Sequence, residues 1–283
     1  MVDLVLQKAV LVAGEKFIPF PTKKLRVIIF SGHFGTFVMS SVRLILFMVL
    51  CWSGGSVYSQ VSQQARQLIV AVAPDWNAPV ATLQCWQRDS ADAPWRPVFK
   101  QAWPVNLGKN GLAWGRGVFT PTDTQIPWKV EKDGKAPAGI FQLGRIHGYA
   151  SKPPSGATWP YLQVSPWDAW VDDPRLPHYN EHVRVDPNNV PPWFESQKMR
   201  LGDAAYKWLF EIRHNTNPAS PGYGSAIFFH VRRGPTTPSA GCTTMALDNL
   251  EAMIRWVKAD KSPYYVLLPQ SEYAKVRKAW KLP

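Results

Sequence analysis

Long apolar runs are scarce in this chain. Leu44–Trp52 is an unbroken apolar stretch of nine residues, well short of the about 20 that a membrane-spanning helix needs. The stretch before it, Val27–Phe30, is cut off by Ser31-Gly-His33 and Arg43. Basic runs are scarce too. The net charge is +12, yet no run exceeds the Arg232-Arg233 pair, and none of the usual nucleic-acid-binding motifs is present. The charge therefore implies a general attraction to an anionic polymer, not base recognition. Cysteine occurs only three times in 283 residues. No internal repeat and no clear linker interrupts the chain.

Proline and tryptophan are abundant, with 26 and 14 copies. Proline is costly in long helices and central strands, so this number implies a loop-rich, mostly β protein. With 46% apolar residues there is enough material for a real core.

The N-terminal part has its own pattern. Met39–Arg43 is short and basic, Leu44–Trp52 is apolar, and Ser53–Ser59 is rich in small residues. That order is expected of a secretory signal peptide cleaved near Ser59. Residues 39–59 are thus read as the signal and 1–38 as an upstream extension, with a mis-assigned start before Met39. Residues 60–283 form a single domain. The signal would engage the membrane only during export, and the mature chain would be secreted across the inner membrane to the periplasm or cell wall as a monomer. Cys51 lacks the small preceding residue of a lipidated cysteine. Cys85 and Cys242 remain after cleavage, and spacing alone does not decide between a disulfide and two thiols.

Gln67–Pro74, Ala81–Arg88 and Trp95–Val105 read as strands. Gly108–Gly117 is glycine-rich but lacks the context of a phosphate-binding loop. Lys132–Gly144 reads as a turn leading into a strand, and 150–195 as one long loop. Ala205–Ile212, Ser225–Val231 and Tyr264–Leu268 complete the strands. Leu247, Leu250, Met253, Ile254 and Val257 recur at helical spacing, predicting an amphipathic helix over about 246–259.

One pair carries chemistry. Ile227–His230 is an apolar strand that ends in histidine, and Ser239-Ala-Gly-Cys242 follows, just ahead of the predicted helix. An imidazole can deprotonate a thiol that is mostly neutral at pH 7. A helix N-terminus would further favour the thiolate, and Gly241 would let the backbone come close. The backbone N–H groups of Cys242 and Thr243 could then meet a developing oxyanion. By spacing alone, a structural cysteine beside a strand-end histidine is the preferred reading.

His230-Val-Arg-Arg-Gly-Pro…Ser239-Ala-Gly-Cys-Thr-Thr-Met245 resembles the signature of the L,D-transpeptidase catalytic domain (YkuD) family. Lys135–Phe141 is similar to an upstream element of that family. Asp172-Asp-Pro, Tyr179-Asn180, Glu211–Asn215 and Gly224–His230 are similar to elements of one bacterial branch. The resemblance covers roughly residues 67–270. It implies a β-rich sandwich or barrel with a few short helices, one of them after the cysteine. It also implies a peptidoglycan L,D-transpeptidase needing no cofactor or metal. Cys242 would attack the third residue of a tetrapeptide stem, expel D-alanine and hold the stem as a thioester. His230 carries over as base and then acid, and the carbonyl of Ser239 or Gly241 as the group that orients the imidazole. His214, Asn215, Tyr179 and Trp170 are candidate substrate-binding residues. Ala240 and Thr244 depart from the histidine and arginine of many members, which bears on substrate handling. Cys85 and Cys242 are expected as free thiols, because a bridge would consume the nucleophile.

Three alternatives stand beside this reading. With water as acceptor the same site is an L,D-carboxypeptidase. His178-Tyr-Asn-Glu181-His182 matches a zinc-binding pattern that needs a helix, although Pro174, Pro177 and Pro187 bracket it. A non-catalytic cell-wall-binding protein would stack glycans on Trp159, Trp167 and Trp170. For His147 a packed or surface role is expected, and for Lys132 and Lys135 a solvated one.

Overall fold

In the computed structural model of the chain, residues 61–118 and 125–283 are described. The signal-peptide and extension expectations lie outside them. Among the described residues thirteen strands are assigned: β1 (Gln67–Ala73), β2 (Val80–Gln87), β3 (Arg96–Pro97), β4 (Trp103–Asn106), β5 (Leu112–Trp114), β6 (Ala136–Gly148), β7 (Tyr161–Gln163), β8 (Asp168–Trp170), β9 (His182–Arg184), β10 (Trp208–Ile212), β11 (Phe228–Val231), β12 (Thr243–Met245) and β13 (Tyr264–Pro269). The helices are α1 (Phe194–Gln197), α2 (Leu247–Trp256) and α3 (Gln270–Val276). No helix among the described residues is long and apolar enough to cross a membrane.

The main sheet closes on itself. Its order is β1-β13-β6-β10-β11-β12-β4-β2, and β2 pairs back to β1. Closure of this kind leaves the ring without open edges. β1 owes its central place to composition: its run Leu68-Ile-Val-Ala71 is buried on both faces, as expected for a strand enclosed on each side.

The two faces of the wall differ. Phe210 pairs with Phe229 and with Ile146, so the three share one face. That face is the interior: Phe229 meets Tyr265 at 4.6 Å, although β11 and β13 are not neighbours in the sheet. The other face carries His147, Leu209, His230 and Thr244, which lie in register across β6, β10, β11 and β12.

Part of that outer face is covered by residues 161–200. Trp170 packs edge-on against Phe228 at 4.7 Å, and Val164 and Met199 join the same cluster. The cover is a hairpin of β8 and β9 pinned by buried Asp168, which accepts from Ser165 N–H at 2.6 Å, from His182 Nε2 at 2.8 Å and from Arg184 Nε and Nη2, both at 2.9 Å. Burial pushes the Asp168 carboxyl up, but these donors outweigh it and hold the group far below the usual carboxylate range.

Several expectations change at this level. The strand expected over Trp95–Val105 is split into β3 and β4, which pair with β2 on either side of a break. The expected loop 150–195 contains β7, β8 and β9. Ala205–Ile212 begins as a short 3-10 turn, Ala204–Tyr206, before β10 starts. The helix expected over about 246–259 is α2, Leu247–Trp256, and β12 lies between it and Cys242.

Candidate active site

Cys242 precedes β12 by one residue, and His230 lies in β11, the parallel neighbour of β12. His230 is opposite Thr244. Side chains alternate along a strand, so Cys242 shares the outer face with Thr244 and His230. The sheet geometry separates the two backbones by roughly 4.8 Å across and 6.6 Å along the strands. That is within reach of a thiol and an imidazole turning toward each other.

The thiol of Cys242 is half-buried. Its Sγ accepts from Phe228 N–H and donates to Ala226 O, each at 3.4 Å. Burial pushes the thiol up to about 11, while the Phe228 N–H, Lys129 and Arg233 pull it back down. A thiol in this state is neutral at pH 7 and needs a base.

His230 keeps one ring nitrogen open. Its Nδ1 lies 2.9 Å from Val231 O, so Nδ1 carries the proton and Nε2 keeps its lone pair. Burial holds the imidazole down to about 4 against the pull of that carbonyl, and Arg233 adds to the depression. The ring packs edge-on against Tyr206 at 5.3 Å, and Arg233 pairs with Asp203 beside it.

The orienting carbonyl is thus that of Val231, and not of Ser239 or Gly241 as expected. Ser239 O is already taken by Lys109 N–H at 2.9 Å. Ser239 instead closes the turn under the cysteine. Its Oγ donates to Cys242 O at 2.6 Å and accepts from Gly241 N–H at 3.0 Å. Gly241 is required by space, since a Cβ there would lie 2.9 Å from Lys135 O and 3.2 Å from Ile227 Cδ1. The helix-terminus contribution to the thiolate is also corrected. With β12 between Cys242 and α2, the helix N-terminus is not at the sulfur. Thr243, expected among the oxyanion donors, lies in β12 opposite Phe229, and its hydroxyl meets Tyr265 Oη at 2.8 Å.

Asn180 ties the cover to the cysteine. Its Oδ1 accepts from Trp170 Nε1 at 3.1 Å and from Ala226 N–H at 2.9 Å. Its Nδ2 donates to His214 O and Asn215 O at 2.9 and 2.8 Å. Ala226 has φ 54°, a left-handed conformation rare for alanine, and its carbonyl is the one that receives the Cys242 thiol. Asn180 holds that residue in place. The sequence does not single it out as a site residue, although Tyr179-Asn180 is among the resembling elements.

His214 and Asn215 are not free to meet a ligand. His214 accepts from Arg116 N–H at 3.1 Å and donates to Tyr223 O at 2.9 Å. Burial first, and Lys129 next, hold it down to about 3. Asn215 donates to Ser220 O and Gly224 O and accepts from Ser220 N–H, all at 2.9 Å. Both shape the loop that leads to Ala226. Tyr179 is bonded to Glu131. Tyr179 and Trp170 do line a cleft of about 600 Å³, together with Arg145, His147, Asn180 and Glu211. His147 is buried there with neither ring nitrogen paired, which the sequence does not suggest. Thr244 Oγ1 is also buried without a hydrogen-bond partner. Ala240 is exposed.

The zinc pattern does not assemble. His178 and Asn180 have positive φ, and His182 begins β9, so no helix brings the histidines together. His182 is engaged by Asp168, and exposed His178 by Glu181 at 3.1 Å. Of the three tryptophans considered for stacking, Trp159 donates to Gly144 O at 2.6 Å and Trp170 is buried, while Trp167 is partly exposed against Phe194. Lys132 is exposed, and half-buried Lys135 donates to Asn110 O at 2.9 Å. Cys85 and Cys242 are both free, as expected.

No curated protein and no solved structure matches the chain. The profile of the L,D-transpeptidase catalytic domain, YkuD, matches residues 95–266, a segment that holds β3–β12, His230 and Cys242 and makes up more than half of the chain. Members of that family are cysteine L,D-transpeptidases that act on peptidoglycan stem peptides. The chain belongs to the L,D-transpeptidase catalytic domain family.

Proposed function

We propose that this protein is a peptidoglycan L,D-transpeptidase with Cys242 as nucleophile and His230 as its base. The observation that carries the reading is the pair itself: a half-buried thiol one strand away from an imidazole whose Nδ1 is fixed on Val231 O, leaving Nε2 as the acceptor. His230 Nε2 takes the thiol proton. Sγ attacks the carbonyl of the third residue of a tetrapeptide stem, and the charge that develops on its oxygen meets the backbone N–H of Cys242. The tetrahedral adduct collapses, the C–N bond to the terminal D-alanine breaks, and His230 returns the proton to the departing amine. A thioester remains. An amine of a second stem then attacks it, His230 takes the amine proton, and the proton returns to Sγ as the thiol leaves.

Water in place of the amine makes the same site an L,D-carboxypeptidase. The cover of residues 161–200 supports transfer, because shielding the thioester from water favours an amine acceptor. Export to the periplasm or cell wall fits this substrate.

The reading is tested by D-alanine release from a purified tetrapeptide stem. Cys242→Ala is expected to lower the rate at least about 1,000-fold and His230→Gln about 100-fold, with unchanged circular dichroism. Full release by Cys242→Ala would overturn the assignment.

A further inference from the structure

Lys129 is a charge the fold does not need. It lies in the turn 129–135 ahead of β6, with 3% of its side chain exposed. Its ammonium donates to Asp133 Oδ1 at 2.7 Å. Asp133 is fixed in turn by Lys135 N–H at 2.8 Å and Val130 N–H at 3.0 Å, so the local backbone sets where the cation sits. Nζ is 3.4 Å from the point that a Cβ on Gly241 would occupy. The residue just before Cys242 is therefore pressed against the turn that carries the ammonium.

Burying an ammonium is costly, and one ion pair does not dependably offset this. An apolar side chain in the same space would serve stability as well. A buried cation beside a nucleophile has a purpose if an anion forms there. Cys242 is such a place, and it has no helix terminus to help it. The Phe228 N–H is a neutral donor. Arg233 is half-exposed and paired with Asp203, so solvent screens it. Lys129 is shielded from water, and its field at the sulfur is not diluted in that way.

We propose that Lys129 is the positioning charge of this site: a fixed cation that holds Cys242 as its thiolate once His230 has taken the proton. This rests on the reading of Cys242 as nucleophile. Lys129 forms no bond and gives up no proton in the step; the thiol proton goes to His230 Nε2 and the negative charge stays on Sγ. The charged and titratable groups around the sulfur are His230 and Arg233 from β11 and its exit, and Lys129 with Asp133 from the turn. Neutral His214 lies beside Lys129, and Asp203 and Tyr206 lie beyond His230.

The test is the rate of alkylation of Cys242 in the full chain by iodoacetamide, followed by peptide mapping at pH 7.5 and 9, where the rate reports the thiolate fraction. Lys129→Met combined with Asp133→Asn removes the cation without stranding a carboxylate. It is expected to slow labelling about tenfold at both pH values, with unchanged circular dichroism. Lys129→Arg should keep the wild-type rates. Asp133→Asn alone leaves the cation uncompensated and should speed labelling, which keeps the test open if the double variant does not fold. An unchanged rate in the double variant, or an unchanged or lowered one in Asp133→Asn, would overturn the proposal. Alkylation needs no stem peptide. A wild-type protein that gives no stem adduct but still shows the Lys129 effect on labelling would defeat the substrate reading and leave this one standing.

Discussion

The two described cysteines show how one residue type is put to opposite uses. Cys85 lies in β2, upstream of the matched segment, with 1% of its surface exposed. Burial alone sets its thiol, well above the usual range. It packs as a small apolar residue in the barrel. Cys242 is on the outer face, half-buried, with a backbone N–H, a buried ammonium and an imidazole arranged around it. Burial pushes both thiols up. Of the two, only Cys242 has groups that push back, which is what the proposed nucleophile requires and a packing residue does not.

The widest gap should appear in native-state labelling. With iodoacetamide at pH 9, Cys242 is expected to react at least about 100-fold faster than Cys85, because Cys85 must wait for the barrel to open. Comparable rates would erase the contrast. Unfolding in urea should make the two alike, which ties the difference to the fold.

A smaller effect concerns three buried histidines. His147, His214 and His230 are held down to about 3, 3 and 4, chiefly by burial. Their unfolded values lie near 6.5. Between about pH 6.5 and 4 the unfolded chain binds more protons, so stability falls as the pH falls through that window. Each histidine contributes at most about 1.4 kcal/mol per pH unit. The urea midpoint should be flat above pH 7 and drop steadily from pH 6.5 to 4. His214→Gln should flatten that slope, whereas Cys85→Ala should lower the midpoint and leave its slope unchanged.

Much of this contrast is legible in the order of the residues. The apolar runs of β1 and β13 are their own signal, and Leu250, Met253 and Ile254 mark the buried face of α2. His230 and Cys242 are readable as a motif. What escapes a linear reading is set by contacts distant in sequence. The β8–β9 hairpin depends on Asp168 meeting Arg184 and His182, and three-residue strands carry no periodicity to read. β12 is hidden for the same reason, which placed Cys242 wrongly at a helix terminus. Lys129 looks like any lysine in a turn. Its burial depends on Asp133, Gly241 and Gly224 closing around it. Val231 cannot be singled out from Ser239 and Gly241 as the carbonyl on His230, since each is near the imidazole in the chain or in the motif. In the fold the imidazole meets the Val231 carbonyl, and Lys109 N–H meets that of Ser239.

The central claim is that one thiol, and not the other, carries the acyl group. It is tested most directly by mixing the purified protein with a tetrapeptide stem, quenching in acid and mapping the peptides by mass spectrometry. The account predicts an adduct on the peptide that contains Cys242, equal to the stem less its terminal alanine, and none on the peptide that contains Cys85. No adduct on Cys242, under conditions in which iodoacetamide does label it, would contradict the account.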